Sequence, residues 1–174
     1  GMLNCGAAMI DITPQTGTHL GGSGMGDHRP AQSVMDRLHA KAVVFESGER
    51  RCCLLALDSV IVTQDFTEHM RSRLNERFGL APEAVMVHAT QTHSAPGLGR
   101  FMLDPDFPLD LPPELEFLSG AEEHWVQLAA ERAVEAAAQA LEKLEPVQVG
   151  AGRAVRDGLA FNRRGITREG GVIM

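Results

Sequence analysis

The chain has 174 residues, 44% hydrophobic and 22% charged, with 23 acidic against 16 basic side chains and a formal net charge of −7. That length suffices for one ordinary domain with a real core, and the composition is globular rather than disordered. The acidic balance argues against a nucleic-acid backbone as partner, because phosphate contacts need clustered Lys and Arg, and no run of about 18 or more apolar residues is present to span a membrane.

Gly1 ahead of Met2 reads as the remainder of an expression tag plus the start Met, so the domain is expected over residues 3–174. Gly1-Met2-Leu3-Asn4 has neither a basic n-region nor an apolar h-region, which predicts no signal peptide and a cytoplasmic location. Residues 5–13 carry Ala7, Ala8, Met9, Ile10 and Ile12 ahead of Pro14, the pattern of a strand closed by a turn. Residues 17–30 are glycine-rich and polar, and glycine permits backbone conformations that other residues resist. Such a stretch is either a phosphate cradle or a tightly turned loop, and no Gly-Lys-Ser/Thr follows it.

Two apolar runs, residues 38–45 and 51–62, flank Glu46-Ser47-Gly48-Glu49-Arg50 and predict a β-hairpin. The second is apolar at consecutive positions, which predicts a strand buried on both faces. Thr63 is a good helix N-cap, and residues 64–78 place Phe66, Met70, Leu74 and Phe78 on one stripe before Gly79. A further strand is expected over residues 84–89. The strand–helix–strand order then implies a parallel pair with a right-handed crossover. Residues 104–120, with Pro105, Pro108, Pro112 and Pro113, read as an irregular loop. Residues 122–144 predict a long helix with Trp125, Leu128, Ala129, Ala133, Ala136 and Ala140 on one face, stopped by Pro146. Residues 147–155 return as a strand, and nothing in 157–174 closes a domain. The fold class expected is α/β: a mixed sheet with one parallel βαβ unit and flanking helices, in an apparently incomplete domain. Cys5, Cys52 and Cys53 read as structural core cysteines, because adjacent cysteines do not readily bridge.

Candidate chemistry gathers at the strand end around Thr90-Gln91-Thr92-His93-Ser94-Ala95-Pro96-Gly97. Ligands in open α/β sheets collect beyond the carboxyl ends of the strands. In an unbroken strand Gln91 and His93 share a face, whereas His88 points the other way. His93 is a metal ligand or a hydrogen-bonding residue, and Gln91 is a poor ligand for zinc. Asp58, at the end of the buried strand, is a base, a metal ligand, a carboxylate that orients a His, or the cap of the following helix. Arg163 and Arg164 are solvent-facing, or bind a substrate carboxylate or developing oxyanion.

Taken in order, Asp11-Ile12-Thr13-Pro14, Leu20-Gly21-Gly22, Asp36-Arg37-Leu38-His39-Ala40-Lys41-Ala42, Leu55-Ala56-Leu57-Asp58, Thr90 to Gly97 and Phe161-Asn162-Arg163-Arg164 resemble the neutral/alkaline non-lysosomal ceramidase family and its bacterial relatives. The resemblance covers most of the chain. It implies zinc-dependent hydrolysis of an N-acyl bond of a small molecule or lipid. It gives His93, Arg163 and Asp58 catalytic roles, and Gly22, Ser94 and Arg164 substrate-binding roles. It places a zinc ligand at the position of Gln91, with His93 beside the metal. Its further ligands and catalytic Ser fall beyond residue 174, so the chain reads as the N-terminal portion of a catalytic domain, with self-association or a C-terminal portion covering its exposed surfaces. The alternative is a non-catalytic domain that uses the same cleft for a lipid or sugar head group.

Overall fold

The computed structural model describes residues 2–22, 28–104, 106, 108, 110–160 and 164–173. Three long strands form its centre: β1 (Asn4–Asp11), β2 (His39–Ser47) and β3 (Arg50–Leu57). β2 and β3 meet in a tight hairpin at Gly48 and Glu49, where Gly48 takes a φ of 59°, a left-handed conformation that glycine adopts without steric cost. Helix α1 (Gln64–Phe78) then crosses over to β4 (Val85–Ala89), which pairs parallel to β3. Helix α2 (Glu123–Glu142) follows, and β5 (Glu145–Pro146) adds a short edge beside β1. The sheet order is β4-β3-β2-β1-β5, antiparallel except at β3–β4. The expected mixed sheet with one parallel βαβ unit is thus present.

Helix α1 forms where its local signals place it. The Thr63 hydroxyl accepts from the Phe66 amide, Phe66, Met70 and Leu74 are buried, and Gly79 closes the helix in the left-handed region. The alanines of α2 let it lie close on β1 and β2. A methyl group on Gly6 would overlap the Ala140 carbonyl, so helix and strand backbones touch there. Trp125 is fully buried, and its indole N–H donates to the Ile12 carbonyl at 2.7 Å, so its one polar atom is satisfied inside the core.

Three expectations are corrected. β3 ends at Leu57 and is not buried on both faces: Cys53, Leu55 and Leu57 are fully buried, but Leu54 between them is 41% exposed. The helices cover one face of the sheet, so an apolar run that could fill two interfaces fills only one. Residues 147–155 do not return as a strand. Val147 donates one bond to Leu3, and the chain beyond is exposed and unpaired with the sheet. Part of the expected loop at 104–120 is a 3-10 helix over Pro113–Ser119, started by Pro112–Pro113 and closed by Gly120 with a φ of 101°. The tail carries a separate small hairpin, β6 (Gly165–Ile166) with β7 (Val172–Ile173). Among the described residues no helix is long and apolar enough to cross a membrane.

Candidate active site at the end of the parallel strand pair

The last rung between β3 and β4 is extended by the Thr90 amide donating to the Leu57 carbonyl at 3.0 Å. Beyond it the chain breaks from strand geometry. Gln91 has a φ of 61°, the one positive value on a non-glycine residue among the described residues. A non-glycine residue pays about 1–2 kcal/mol to sit in this region, and such residues gather at functional sites. The expected shared face of Gln91 and His93 rested on strand alternation, which stops at Ala89, so that geometric link is withdrawn.

The segment after Gln91 is anchored at its root and open at its tip. Ala95, Pro96, Gly97 and Leu98 are buried, whereas Thr90, Gln91, His93 and Ser94 are exposed. Ser59, fully buried, donates its hydroxyl to the Pro96 carbonyl at 3.0 Å, and the Val60 amide reaches the same oxygen at 3.2 Å. Leu98 donates to Ile61, and Thr63 to Leu98, at 2.9 and 3.0 Å. These bonds tie the segment to the turn between β3 and α1. It therefore offers polar side chains from a fixed backbone, as catalytic loops on rigid scaffolds do.

The glycine-rich loop comes to the same place. Gly21 donates its amide to the Ala95 carbonyl at 3.0 Å, and Gly22 lies so close to His93 that a methyl group there would overlap the His93 backbone. The structure thus brings together Gly22, His93 and Ser94 from two distant stretches of sequence. Gly22 is needed for close approach of backbone to backbone, a requirement distinct from a phosphate cradle. Ser23 to Asp27 lie outside the described residues.

Asp58 stands at the neighbouring strand end, but its carboxylate is already engaged. Lys41 Nζ lies 3.0 Å from both Asp58 oxygens, and the His39 amide donates to Oδ2 at 2.9 Å. The His39 ring nitrogen Nδ1 is 3.8 Å from Oδ2. Thr63, rather than Asp58, caps α1. Asp58 thereby locks the ends of β2 and β3 and holds a lysine beside the site. Arg163 lies outside the described residues. Arg164 is exposed and directly precedes β6, in a hairpin that pairs with no strand of the main sheet.

A second cluster was not legible in the sequence. His19 stacks on Phe117 with ring centroids 3.8 Å apart and 8° between planes, and the His19 amide donates to Glu122 Oε2 at 2.6 Å. Thr18 and His124 meet at 3.1 Å. These contacts fasten the root of the glycine-rich loop to the start of α2. Glu122, in the N-cap position, makes no capping bond because its carboxylate serves His19. Only the adjacency of Thr18 to His19 and the spacing of Glu122 to His124 hint at this in the sequence. Nearby, Asp11 accepts from the Thr13 amide at 2.7 Å and from Arg37 at 2.6 Å. Partial burial pushes its carboxyl up, but the Thr13 and Arg37 contacts outweigh that and hold it at about 2.

A zinc site needs about three or four strong donors converging on one point. Among the described residues no three His, Cys, Asp or Glu side chains do so. Gln91 offers only a neutral amide, and Asp58 is taken by Lys41 and the His39 amide. The described residues therefore do not form a zinc site by themselves.

No protein-family model and no curated protein matches the sequence. Among solved structures, the neutral ceramidase of Pseudomonas aeruginosa shares the fold over 83% of this chain, at 22% identity with a TM-score of 0.65. A ceramidase complexed with C2 matches over 83% of the chain at 21% identity and a TM-score of 0.62. In both cases the chain spans 22% of the length of the ceramidase, so the likeness is to part of a larger domain.

Proposed function

We propose that this chain is part of a ceramidase-like amidohydrolase and that it supplies one wall of a site cleaving an N-acyl amide bond, with a lipid as substrate. The observation that carries the reading is the coincidence of two things. The fold is that of a ceramidase over 83% of the chain. The anchored, strained segment around His93 lies at the carboxyl end of the parallel strands, against the glycine-rich loop.

On this reading the residues take the following roles. Amide hydrolysis needs a proton removed from the attacking water and one delivered to the departing amine. His93, exposed on a fixed backbone, is the residue here able to shuttle that proton. Ser94 and Thr92 offer hydroxyls to the polar head of the substrate. Gly22 keeps the opposite loop close enough to enclose the scissile bond. Asp58 positions Lys41 and the ends of β2 and β3, and acts on the substrate only through them. Arg163 and Arg164 bind the head group or the developing oxyanion. Because the described residues do not form a zinc site, no step here runs through a metal.

That same donor set favours one competing reading, a binding domain that holds an amphiphile or sugar head group without turning it over. The full-length protein, supplied with N-acyl ethanolamines and ceramides of several chain lengths, separates the two. Release of free fatty acid, with the metal content of the same sample measured, supports the hydrolase. Ligand-induced thermal stabilisation with no product supports the binding domain.

A further inference from the structure

Phe101 is large and apolar, yet it is only half-buried and lies outside the main hydrophobic core that gathers Phe66 and Phe78. Its ring sits instead among three glycines from three separate stretches. A methyl carbon on Gly97 would lie 2.5 Å from Phe101 Cε1, and one on Gly120 would lie 2.6 Å from both Cδ1 and Cε1. Both positions therefore admit the ring only because they carry no side chain. A methyl carbon on Gly21 would stand 3.5 Å from Cζ, in ordinary contact, and 3.4 Å from the Gly97 nitrogen. The ring thus fills the junction of the glycine-rich loop, the buried root of the His93 segment and the turn that leads into α2.

The backbone that carries the ring is fixed. The Phe101 and Met102 amides both donate to the Ser119 carbonyl, at 3.0 and 3.1 Å, and Ser119 is buried. On the far side of the junction, Gly21 donates to the Ala95 carbonyl, and its neighbour Gly22 lies against the His93 backbone. Contact therefore runs from Phe101 through Gly97 and Gly21 to Gly22 and His93.

We infer that Phe101 is a positioning residue, whose ring sets the spacing between the glycine-rich loop and the His93 segment and so the place of His93. It acts through the backbones it separates and not on the substrate. A smaller side chain leaves a void at the junction, into which the loop and the segment settle. A shift of about 1 Å at a reacting group can lower a rate about 10²-fold, even when the substitution is remote. That loss falls on the chemical step, because proton transfer by His93 needs its alignment more than head-group binding does. The inference rests on the proposed function in one respect: it takes His93 as the acid–base group.

The test compares Phe101→Leu with Phe78→Leu in the full-length protein. Phe78 is also half-buried but packs on the core, so it reports general loss of packing. Two quantities are read: kcat and KM for N-dodecanoylethanolamine, and the His93 amide signal in protein labelled with ¹⁵N-histidine, assigned by its loss in His93→Ala. In Phe101→Leu, kcat should fall about 10²-fold with KM nearly unchanged, and the His93 amide should move. In Phe78→Leu the melting temperature should fall while kcat, KM and the amide stay as in the wild type. Phe101→Met, which keeps the volume but not the flat shape, should show the same pattern more weakly and serves if Phe101→Leu does not fold. Wild-type kcat, an unmoved His93 amide, or equal effects in Phe78→Leu overturn the inference. If the wild type releases no fatty acid, the hydrolase reading fails alone, and the amide signal still decides the role of Phe101. If the wild type is active and Phe101→Leu matches it in both quantities, the positioning role fails alone.

Discussion

The two faces of the central sheet are built from the same strands and differ sharply. On one face Ala40, Ala42 and Val44 of β2 and Cys53, Leu55 and Leu57 of β3 are fully buried, in one core with the alanines of α2. On the other, Met9 is 58%, Leu54 41% and Met86 60% exposed. Cross-strand register sets Ala7, Val43, Leu54 and Met86 in one row and Met9, Lys41, Ala56 and His88 in the next. Composition alone does not decide which surface becomes core. Both faces carry apolar side chains, the open one interspersed with Lys41 and His88, and only the one that meets a helix is closed. The open face is the kind of surface that a second layer of protein covers.

The largest contrast is in stability. Leu55→Ala should cost about 2–5 kcal/mol, because it leaves a cavity in the closed core. Leu54→Ala, one residue away, should cost under about 1 kcal/mol, as surface substitutions do. Equal losses in chemical denaturation would erase the distinction between the faces. Next is association. The open face, with β4 an edge strand among the described residues, should drive self-association at high concentration, and Leu54→Lys or Met86→Lys should shift sedimentation toward monomer. A wild type that stays monomeric would break this part of the comparison.

Cysteine reactivity sharpens it further. Burial first, and the adjacent Cys52 second, push the Cys53 thiol up to about 12, so it is protonated at pH 8 and closed to solvent. Cys52, in the next position and partly exposed, should react with a thiol reagent in the native state, while Cys53 reacts only on unfolding. The smallest effect is at Asp11. Its folded carboxyl titrates near 2, below its ordinary value of 3.8. The stability it contributes is complete above pH 4 and disappears as pH falls through 2. Asp11→Asn should therefore be slightly less stable than wild type at pH 6, by under about 1 kcal/mol for so exposed a pair. The gap should close toward pH 2; a gap independent of pH would contradict this.

What the sequence made legible was local. Thr63, the Phe66–Met70–Leu74 stripe and Gly79 define α1 within a few residues, and the two apolar runs on either side of Gly48 define the hairpin, although the second run extends to Val62 and the strand ends at Leu57. What it hid was pairing between distant stretches. The approach of Gly22 to His93, the grip of Lys41 on Asp58 and the His19–Phe117–Glu122 cluster depend on contacts spanning about 17 to 103 positions. Gln91 was hidden for another reason, since a positive φ on a non-glycine residue comes from its surroundings rather than from its own preference. The double glycine Gly21-Gly22 was the one visible trace of the close approach at the site.

The central claim is that the exposed tip of the anchored segment does chemistry, and His93→Ala tests it most directly. Fatty-acid release from an N-acyl amide by the full-length protein should fall roughly 10²–10⁴-fold, the usual contribution of a positioned acid–base group. The melting temperature should stay unchanged, because the side chain is exposed. Release that continues at the wild-type rate in a folded His93→Ala protein would contradict the account.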